Sequence, residues 1–261
     1  MDLTSQLNTA IYSIKEASKI IMAVYHDDFI VSTKEDDSVV TIADLQSDKK
    51  IREILLNEFP DYGMLSEETK DDKQRRQKDF CWIVDPLDGT KDFVNRTNEF
   101  SINIALSYKG EIVLGVIAVP VLNIIYYATK GQGAFKIVDD IVTPIHTNTK
   151  KDKYTLVVSN FFFKDEEVNN INNYHLIDKM IRCGSSYKAC KIAEGNAELC
   201  IKFDAHTKEW DTAPSEIIVS EAGGYMSDIY GNRITYNREN VVNENGFIIS
   251  NSYQTSKNFF K

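Results

Sequence analysis

Residues 85–93 read Asp-Pro-Leu-Asp-Gly-Thr-Lys-Asp-Phe, with two carboxylates three positions apart in a segment otherwise rich in turn formers. A hard divalent cation such as Mg²⁺ takes carboxylate and carbonyl oxygens, and prefers one or two carboxylates together with substrate phosphate oxygens. Asp85 and Asp88, with the Leu87 carbonyl between them, offer that donor set. Gly89 and Thr90 come next, where a helix would open and its unpaired N–H groups would attract a phosphate. Asp, Pro and Gly also build ordinary turns, so the nonapeptide alone leaves both readings open. Two further segments carry related chemistry: Ser66-Glu67-Glu68 upstream, and Glu209-Trp210-Asp211-Thr212-Ala213 downstream, leading into Glu221-Ala222-Gly223-Gly224.

The elements that must position these residues show in the periodicity. Leu7, Ala10, Ile11, Ile14, Ala17, Ile20, Ile21 and Val24 recur every three to four residues, which predicts a helix with one buried stripe. A second helix is expected over 44–58, burying Ile51, Ile54, Leu55 and Phe59 and stopped by Pro60. The run Cys81 to Val84 reads as a strand that delivers the chain to Asp85. From Phe100 to Phe135 apolar alternation and short Gly-containing turns predict antiparallel strands. Residues 136–153 look polar and poor in strands, and a boundary is expected there, between a half spanning 1–150 and a half spanning 151–261. In the second half strands are expected at Thr155–Ser159 and Leu199–Ile201, and helices at Lys164–Ile181, Ser185–Glu194 and Thr212–Ala222, the last closed by Gly223-Gly224. The fold class is α/β (α+β), with a mostly antiparallel first sheet.

In order and spacing, Thr41-Ile42-Ala43-Asp44, Ser66-Glu67-Glu68, Trp82 to Thr90, and Trp210-Asp211-Thr212 with Glu221 to Gly224 resemble the inositol monophosphatase superfamily, over nearly the whole chain. Leu87-Asp88-Gly89-Thr90-Lys91-Asp92-Phe93, Asn98 to Leu106, Gly115 to Pro120 and Gly184-Ser185-Ser186-Tyr187-Lys188 are more similar to its bacterial CysQ-type 3′(2′),5′-bisphosphate nucleotidases. The resemblance implies a layered αβαβα sandwich, as in the inositol monophosphatases and fructose-1,6-bisphosphatases, with one active site between the halves. It implies a lithium-sensitive phosphatase using two or three Mg²⁺ ions, held by Glu67, Asp85, the Leu87 carbonyl, Asp88 and Asp211. Thr90, hydrogen-bonded to Asp44, would orient or deprotonate the attacking water, with Glu67 also on the catalytic side. Thr90 and Asp44 have helix caps as their plainer reading. For Asp44 that cap would serve residues 45–58.

The implied reaction is removal of the 3′-phosphate from adenosine 3′,5′-bisphosphate, a step tied to sulfur metabolism. An inositol or sugar phosphate is the alternative substrate, and a non-catalytic phospho-ligand-binding relative is a third reading. Gly89, Thr90, Gly184, Ser185, Ser186, Lys188 and Asp204 are the candidate substrate contacts. Gly-Ser-Ser also starts ordinary helices, and most lysines are simply solvated. Asp204 stands where inositol phosphatases carry an acidic residue for substrate hydroxyls, although the stretch 203–209 departs from the nucleotidase form. Glu68 and His206 are left without an assigned role. Pro214, after Trp-Asp-Thr-Ala, is expected in a helix's first turn, where its missing N–H costs nothing.

Composition bounds the partners. With a net charge of −9 and no Lys/Arg clusters, a broad nucleic-acid surface is not expected. No run is long enough to span a membrane, the start does not resemble a signal peptide, and four cysteines without zinc-type spacing read as reduced core residues of a cytoplasmic protein. A small phosphorylated partner fits, and a homodimer is compatible.

Overall fold

In the computed structural model, which describes residues 1–27, 31–33 and 39–261, helix α1 (Thr4–His26) leads through strands β1 (Val31–Thr33) and β2 (Val39–Thr41) into α2 (Ile42–Glu58). β3 (Gly63–Ser66), β4 (Phe80–Asp88), α3 (Thr90–Val94), β5 (Ser101–Tyr108), β6 (Glu111–Val119), β7 (Ile124–Thr129), β8 (Ala134–Val138) and β9 (Ile141–Ile145) follow. The chain continues with β10 (Tyr154–Val158), β11 (Ile177–Arg182), α4 (Tyr187–Ala193), β12 (Leu199–Lys202), α5 (Glu209–Glu221), β13 (Tyr225–Ser227), β14 (Phe247–Ser250) and α6 (Tyr253–Lys257). The first large sheet runs β3-β4-β5-β6-β7-β8-β9, antiparallel throughout except for the parallel pair β3/β4. The second runs β11-β10-β12-β14-β13, parallel in its first two pairings and antiparallel in the rest.

Side-chain alternation explains the layering. Along a strand, successive residues face opposite sides. Trp82 and Val84 of β4, and Ile102, Ile104 and Leu106 of β5, pack with Ile14, Ile21, Ile51 and Leu55 of α1 and α2. The intervening Cys81, Ile83 and Ala105 pack instead with Cys190 of α4 and Ala213 and Ile217 of α5, which also meet Cys200 and Ile249 of the second sheet. The outer face of that sheet buries Leu156, Leu199 and Ile248 against Phe163, Ile171 and Phe259. The order is therefore helix, sheet, helix, sheet and an outer layer of α6 and 3₁₀ turns, a layered αβαβα sandwich. Each fully buried Ile or Leu contributes about 1.5–3 kcal/mol. The same parity puts Asp85, two residues beyond Ile83, on the α5 side of β4.

Three expectations need correction. α2 starts at Ile42, and its N-cap is Thr41, whose hydroxyl accepts the Ala43 amide; Asp44 is the third helical residue and closes a capping box onto the Thr41 amide at 2.8 Å. The stretch 136–153 is not strand-poor. Asp139 and Asp140, both with positive φ, make the tight turn of the hairpin β8/β9, and β9 is an edge strand that tolerates Pro144. The helix expected over Lys164–Ile181 is instead two 3₁₀ turns, Asp165–Asn170 and Tyr174–Leu176, followed by β11. Asn is a poor helix former, the Asn172 and Asn173 side chains donate instead to the Phe260 and Asn258 carbonyls of the C-terminal segment at 2.5 and 2.6 Å, and Asn173 adopts φ +52°.

Gly115 of β6 is where α5 presses onto the first sheet. A Cβ there would lie 2.6 Å from Ile217 Cγ2 and 2.9 Å from Pro214 Cα. Gly115→Val should therefore lower unfolding free energy by about 1–3 kcal/mol through overpacking, read as a shift of the urea midpoint with unchanged slope.

Candidate active site

The end of β4 is bulged. Asp85 pairs with Asn103 and Asp88 with Ser101, so three steps on β4 match two on β5. Pro86, which cannot donate to a ladder, sits in the bulge, and its carbonyl accepts the Ser47 hydroxyl at 2.9 Å. The Leu87 amide folds back onto Asp85 Oδ1 at 3.0 Å. Gly89, at φ +86°, then turns the chain into α3, in a conformation few side-chain-bearing residues adopt. The bulge and turn bring both carboxylates to the edge of β4 that faces α5.

α5 supplies the third. Carboxylate oxygens of Asp85, Asp88 and Asp211 lie within 4.8 Å of one another. Asp211 is the third residue of α5, and its Oδ2 accepts the Lys208 amide at 2.6 Å. Asp44 stands in the same position of α2: one oxygen serves the helix's own N-terminus, and the other, Oδ1, accepts the Thr90 hydroxyl at 3.2 Å. Asp88 uses a single oxygen for four donors: the Ser186 amide and hydroxyl, both at 2.6 Å, Asn103 Nδ2 at 3.1 Å and the Ser101 hydroxyl at 3.3 Å. Its Oδ1 carries no hydrogen bond among the described residues, which leaves it for a cation.

Ser101 and Asn103 had no role in the sequence reading. They are the inward-facing polar positions of β5, between Phe100, Ile102 and Ile104, which face α1 and α2. That polar parity in a fully buried strand was the available signal. Asn103 also donates to the Trp210 carbonyl at 3.3 Å. This contact corrects the expectation for Pro214. α5 starts at Glu209, so the proline is its sixth residue rather than part of the first turn. Its missing N–H frees the Trp210 carbonyl four residues back, and Asn103 takes that carbonyl.

The electrostatics follow from crowding and burial. Asp85 and Asp211 hold their protons far more tightly than ordinary carboxylates, first because burial penalises their charge and then because Glu67 and Asp88 repel it. Burial also raises Asp44. Hard oxygen donors converging in this way suit a hard divalent cation.

The trio opens into a cavity of about 480 Å³, also lined by Glu67, Leu87, Gly89, Thr90, Ser185, Ser186 and Lys188. Lys91, Lys202, Lys208, His206 and Phe162 line it too, and none of them is a candidate substrate contact from sequence. Phe162 is half exposed, with the Lys91 and Lys202 ammonium groups 4.4 and 5.5 Å from its ring centre. Two candidate substrate residues lie off the wall. The Gly184 amide donates to Glu99 at 3.1 Å, and a Cβ there would come within 2.5 Å of Asp92, so this glycine serves close packing. Asp204 pairs with Lys202 at 2.8 Å and accepts the His206 amide. Glu68 is also off the wall, whereas His206 is on it. The Ser186 amide and hydroxyl are committed to Asp88, and Lys188 Nζ donates to the Ser185 carbonyl at 2.6 Å.

The family model for the inositol monophosphatase family matches residues 2–259. The chain belongs to that family. It is 37% identical to the 3′(2′),5′-bisphosphate nucleotidase CysQ of Salmonella typhimurium, over 88% of this chain and 93% of that protein. It is 30% identical to the Nus factor SuhB of Pasteurella multocida, over 88% and 87%. The crystal structure of CysQ from Bacteroides thetaiotaomicron superposes with a TM-score of 0.79 at 33% identity, covering 95% of this chain and 98% of the other. This family member is thus a metal-dependent phosphatase acting on a small phosphorylated substrate, and among the described residues no helix is long and apolar enough to cross a membrane.

Because the native proton affinities of Asp85 and Asp211 are raised, folding takes up protons above the ordinary carboxylate range. Their contribution to stability is fully present below about pH 4 and is lost as pH rises through the raised native values. In EDTA, the melting temperature of the wild-type protein relative to Asp85→Asn should fall as pH increases above about 4, and Mg²⁺ should reverse that fall. A wild-type-minus-variant difference that stays flat with pH would contradict the assignment.

Proposed function

We propose that the chain is a Mg²⁺-dependent 3′(2′),5′-bisphosphate nucleotidase that hydrolyses the 3′-phosphate of adenosine 3′,5′-bisphosphate to give AMP and phosphate. The observation that carries this reading is a cavity combining a carboxylate trio with four lysines and a half-exposed phenylalanine. The carboxylates suit the phosphate that leaves, the ammonium groups suit a second phosphate, and the ring suits a flat base. Likeness to the CysQ nucleotidases supports the same substrate.

In this reading Glu67, Asp85, Asp88, Asp211 and the Leu87 carbonyl hold two or three Mg²⁺ ions, which when bound supply charge neutralisation and a more acidic water. Thr90 donates its hydroxyl hydrogen bond to Asp44, so its oxygen lone pairs are left to accept a hydrogen bond from the attacking water. Asp44, whose proton affinity burial has raised, is the terminus of that relay. The Gly89 and Thr90 backbone at the turn into α3 faces the cavity and receives the phosphate undergoing transfer. Ser186 keeps Asp88 aimed, and Ser185 and Lys188 border the pocket beside Lys202. The four cysteines are free and buried, as in a reducing cytoplasm.

Phosphate release from adenosine 3′,5′-bisphosphate, inositol 1-phosphate and fructose 1,6-bisphosphate, each with Mg²⁺ and with EDTA, tests the reading directly. The nucleotide should be strongly preferred and EDTA should abolish release; preference for inositol phosphate would overturn the substrate assignment while leaving the metal chemistry. Asp88→Asn should fold normally and lose more than about a hundredfold in kcat. Lys202→Met should lower kcat/KM for the nucleotide by about 10–100-fold, as expected for one charge-assisted hydrogen bond, with a smaller effect on inositol 1-phosphate.

A further inference from the structure

The loop that carries Glu67 leaves β3 and returns through a 3₁₀ turn at Lys73–Gln77. Arg75 in that turn is 3% exposed. Its guanidinium grips Asp71 with two bonds of 2.7 and 3.0 Å, and donates to the Asn237 side-chain oxygen and, at 2.9 Å, to the Arg238 carbonyl. Its backbone seats on Gly63, the first residue of β3, where a Cβ would come within 2.9 Å of the arginine's own Cβ.

The opposite side of the same dipeptide belongs to α5. Glu209, fully buried, accepts the Asn237 amide at 2.7 Å, the Arg238 amide at 2.8 Å and Arg238 Nε at 3.1 Å. It is the first residue of α5, two before Asp211. Asn243 adds to the clamp by accepting from Arg238 Nη2 at 2.8 Å and donating to the Lys208 carbonyl at 2.9 Å. Asn237-Arg238 is therefore a pin with both amides on one element and its acceptors on another.

Neither Arg75, Asn237, Arg238 nor Glu209 lines the cavity. A buried carboxylate and a buried guanidinium are poor sources of stability, since well-packed apolar residues serve as well or better. What such groups supply and apolar ones do not is a fixed direction and distance. Here the two ends of the bridge are the loop holding Glu67 and the helix turn holding Asp211.

We propose that Arg75, Asn237-Arg238 and Glu209 are positioning residues that fix the span between Glu67 and Asp211, so that cation affinity depends on a bridge that touches neither cation nor substrate. The inference rests on the metal-site reading above. Groups hydrogen-bonded directly to metal ligands change affinity by about 10–100-fold when removed; this bridge acts through the backbone of the segments that carry the ligands, so the low end of that range is expected.

The test is Mn²⁺ binding to the metal-stripped full chain, followed by the loss of the free Mn²⁺ electron paramagnetic resonance signal, for Glu209→Gln, Arg75→Lys and Asn237→Gly. Each should weaken Mn²⁺ binding by about tenfold, while KM for the nucleotide at saturating cation stays within about twofold. Asn237→Gly keeps the left-handed backbone (φ +56°) and deletes the side chain that accepts from the Arg75 guanidinium and donates to its carbonyl, so it decides the matter if the charged variants do not fold. Folded variants with wild-type Mn²⁺ affinity would overturn the proposal, even with lowered melting temperatures, because the bridge would then be structural only. Asp88→Asn is the control. Should it also bind Mn²⁺ like the wild type, the metal-site reading fails rather than the bridge.

Discussion

Three carboxylates with oxygens inside 4.8 Å crowd like groups together, and much of the structure around them answers that crowding. Two hydrogen-bonding patterns recur. At Asp88 the oxygen facing the protein is saturated by donors from β5 and from the segment before α4. At Asp211 and Asp44 one oxygen is tied to the amide that opens its own helix. In each case the protein fixes one oxygen by hydrogen bonding; the mate accepts from Thr90 at Asp44, and Asp88 and Asp211 each bring an oxygen to a trio that could hold a cation. Aim and charge are thus separated: local hydrogen bonds set the aim, and the charge remains for whatever binds.

No single element could carry this arrangement. Asp85 and Asp88 arrive on a bulged strand of the first sheet, Asp211 on the helix between the sheets, and Ser186 on the segment running from β11 into α4. The close approach of α5 to Gly115 and the contact of Asn103 with the Trp210 carbonyl both fix the height of α5 above β5. Packing precision far from the chemistry therefore propagates into the spacing of the acidic trio. A proline that breaks the α5 hydrogen-bond ladder is part of the same device, since it frees a carbonyl for the sheet below.

What was legible in the sequence divides along the same line. Two Asp residues flanking Pro-Leu read equally as a turn on their own, and it is the Ser66-Glu67 and Trp210-Asp211 segments, adding acids in a familiar order, that tip the reading towards a metal site. The apolar stripe of α1 and the alternation in β5 and β6 were equally plain. Ser101 and Asn103 were not, because their meaning depends on which strand lies beside them and where the bulge falls. Gly184 is ambiguous for a related reason: a glycine packed closely against Asp92 and one that cradles a phosphate look identical in a string of letters. The stretch 164–181 reads as a helix in the sequence, but the carbonyls that hold Asn172 and Asn173 belong to Phe260 and Asn258, nearly ninety residues away, and nothing local announces them.

Discrimination among phosphate esters has to reside away from the trio, since a carboxylate cluster that holds cations serves any phosphomonoester. The loop 159–163 is the segment best built for it. The Ser159 hydroxyl accepts the Phe162 amide at 3.2 Å, Asn160 donates to both Asp92 and Glu99 at 2.6 and 2.8 Å, and Arg182 holds the Ser159 carbonyl at 3.0 Å. Phe163 is buried in the outer core while Phe161 and Phe162 project, 42% and 50% exposed. A loop held at so many points does not leave a large ring half in water by slack alone. The ring keeps two lysine side chains beside it at the cavity wall, so their ammonium groups are ordered before a ligand arrives and less entropy is lost on binding. Changing Phe162 should therefore alter which ester is chosen and leave intact the means of cleaving it.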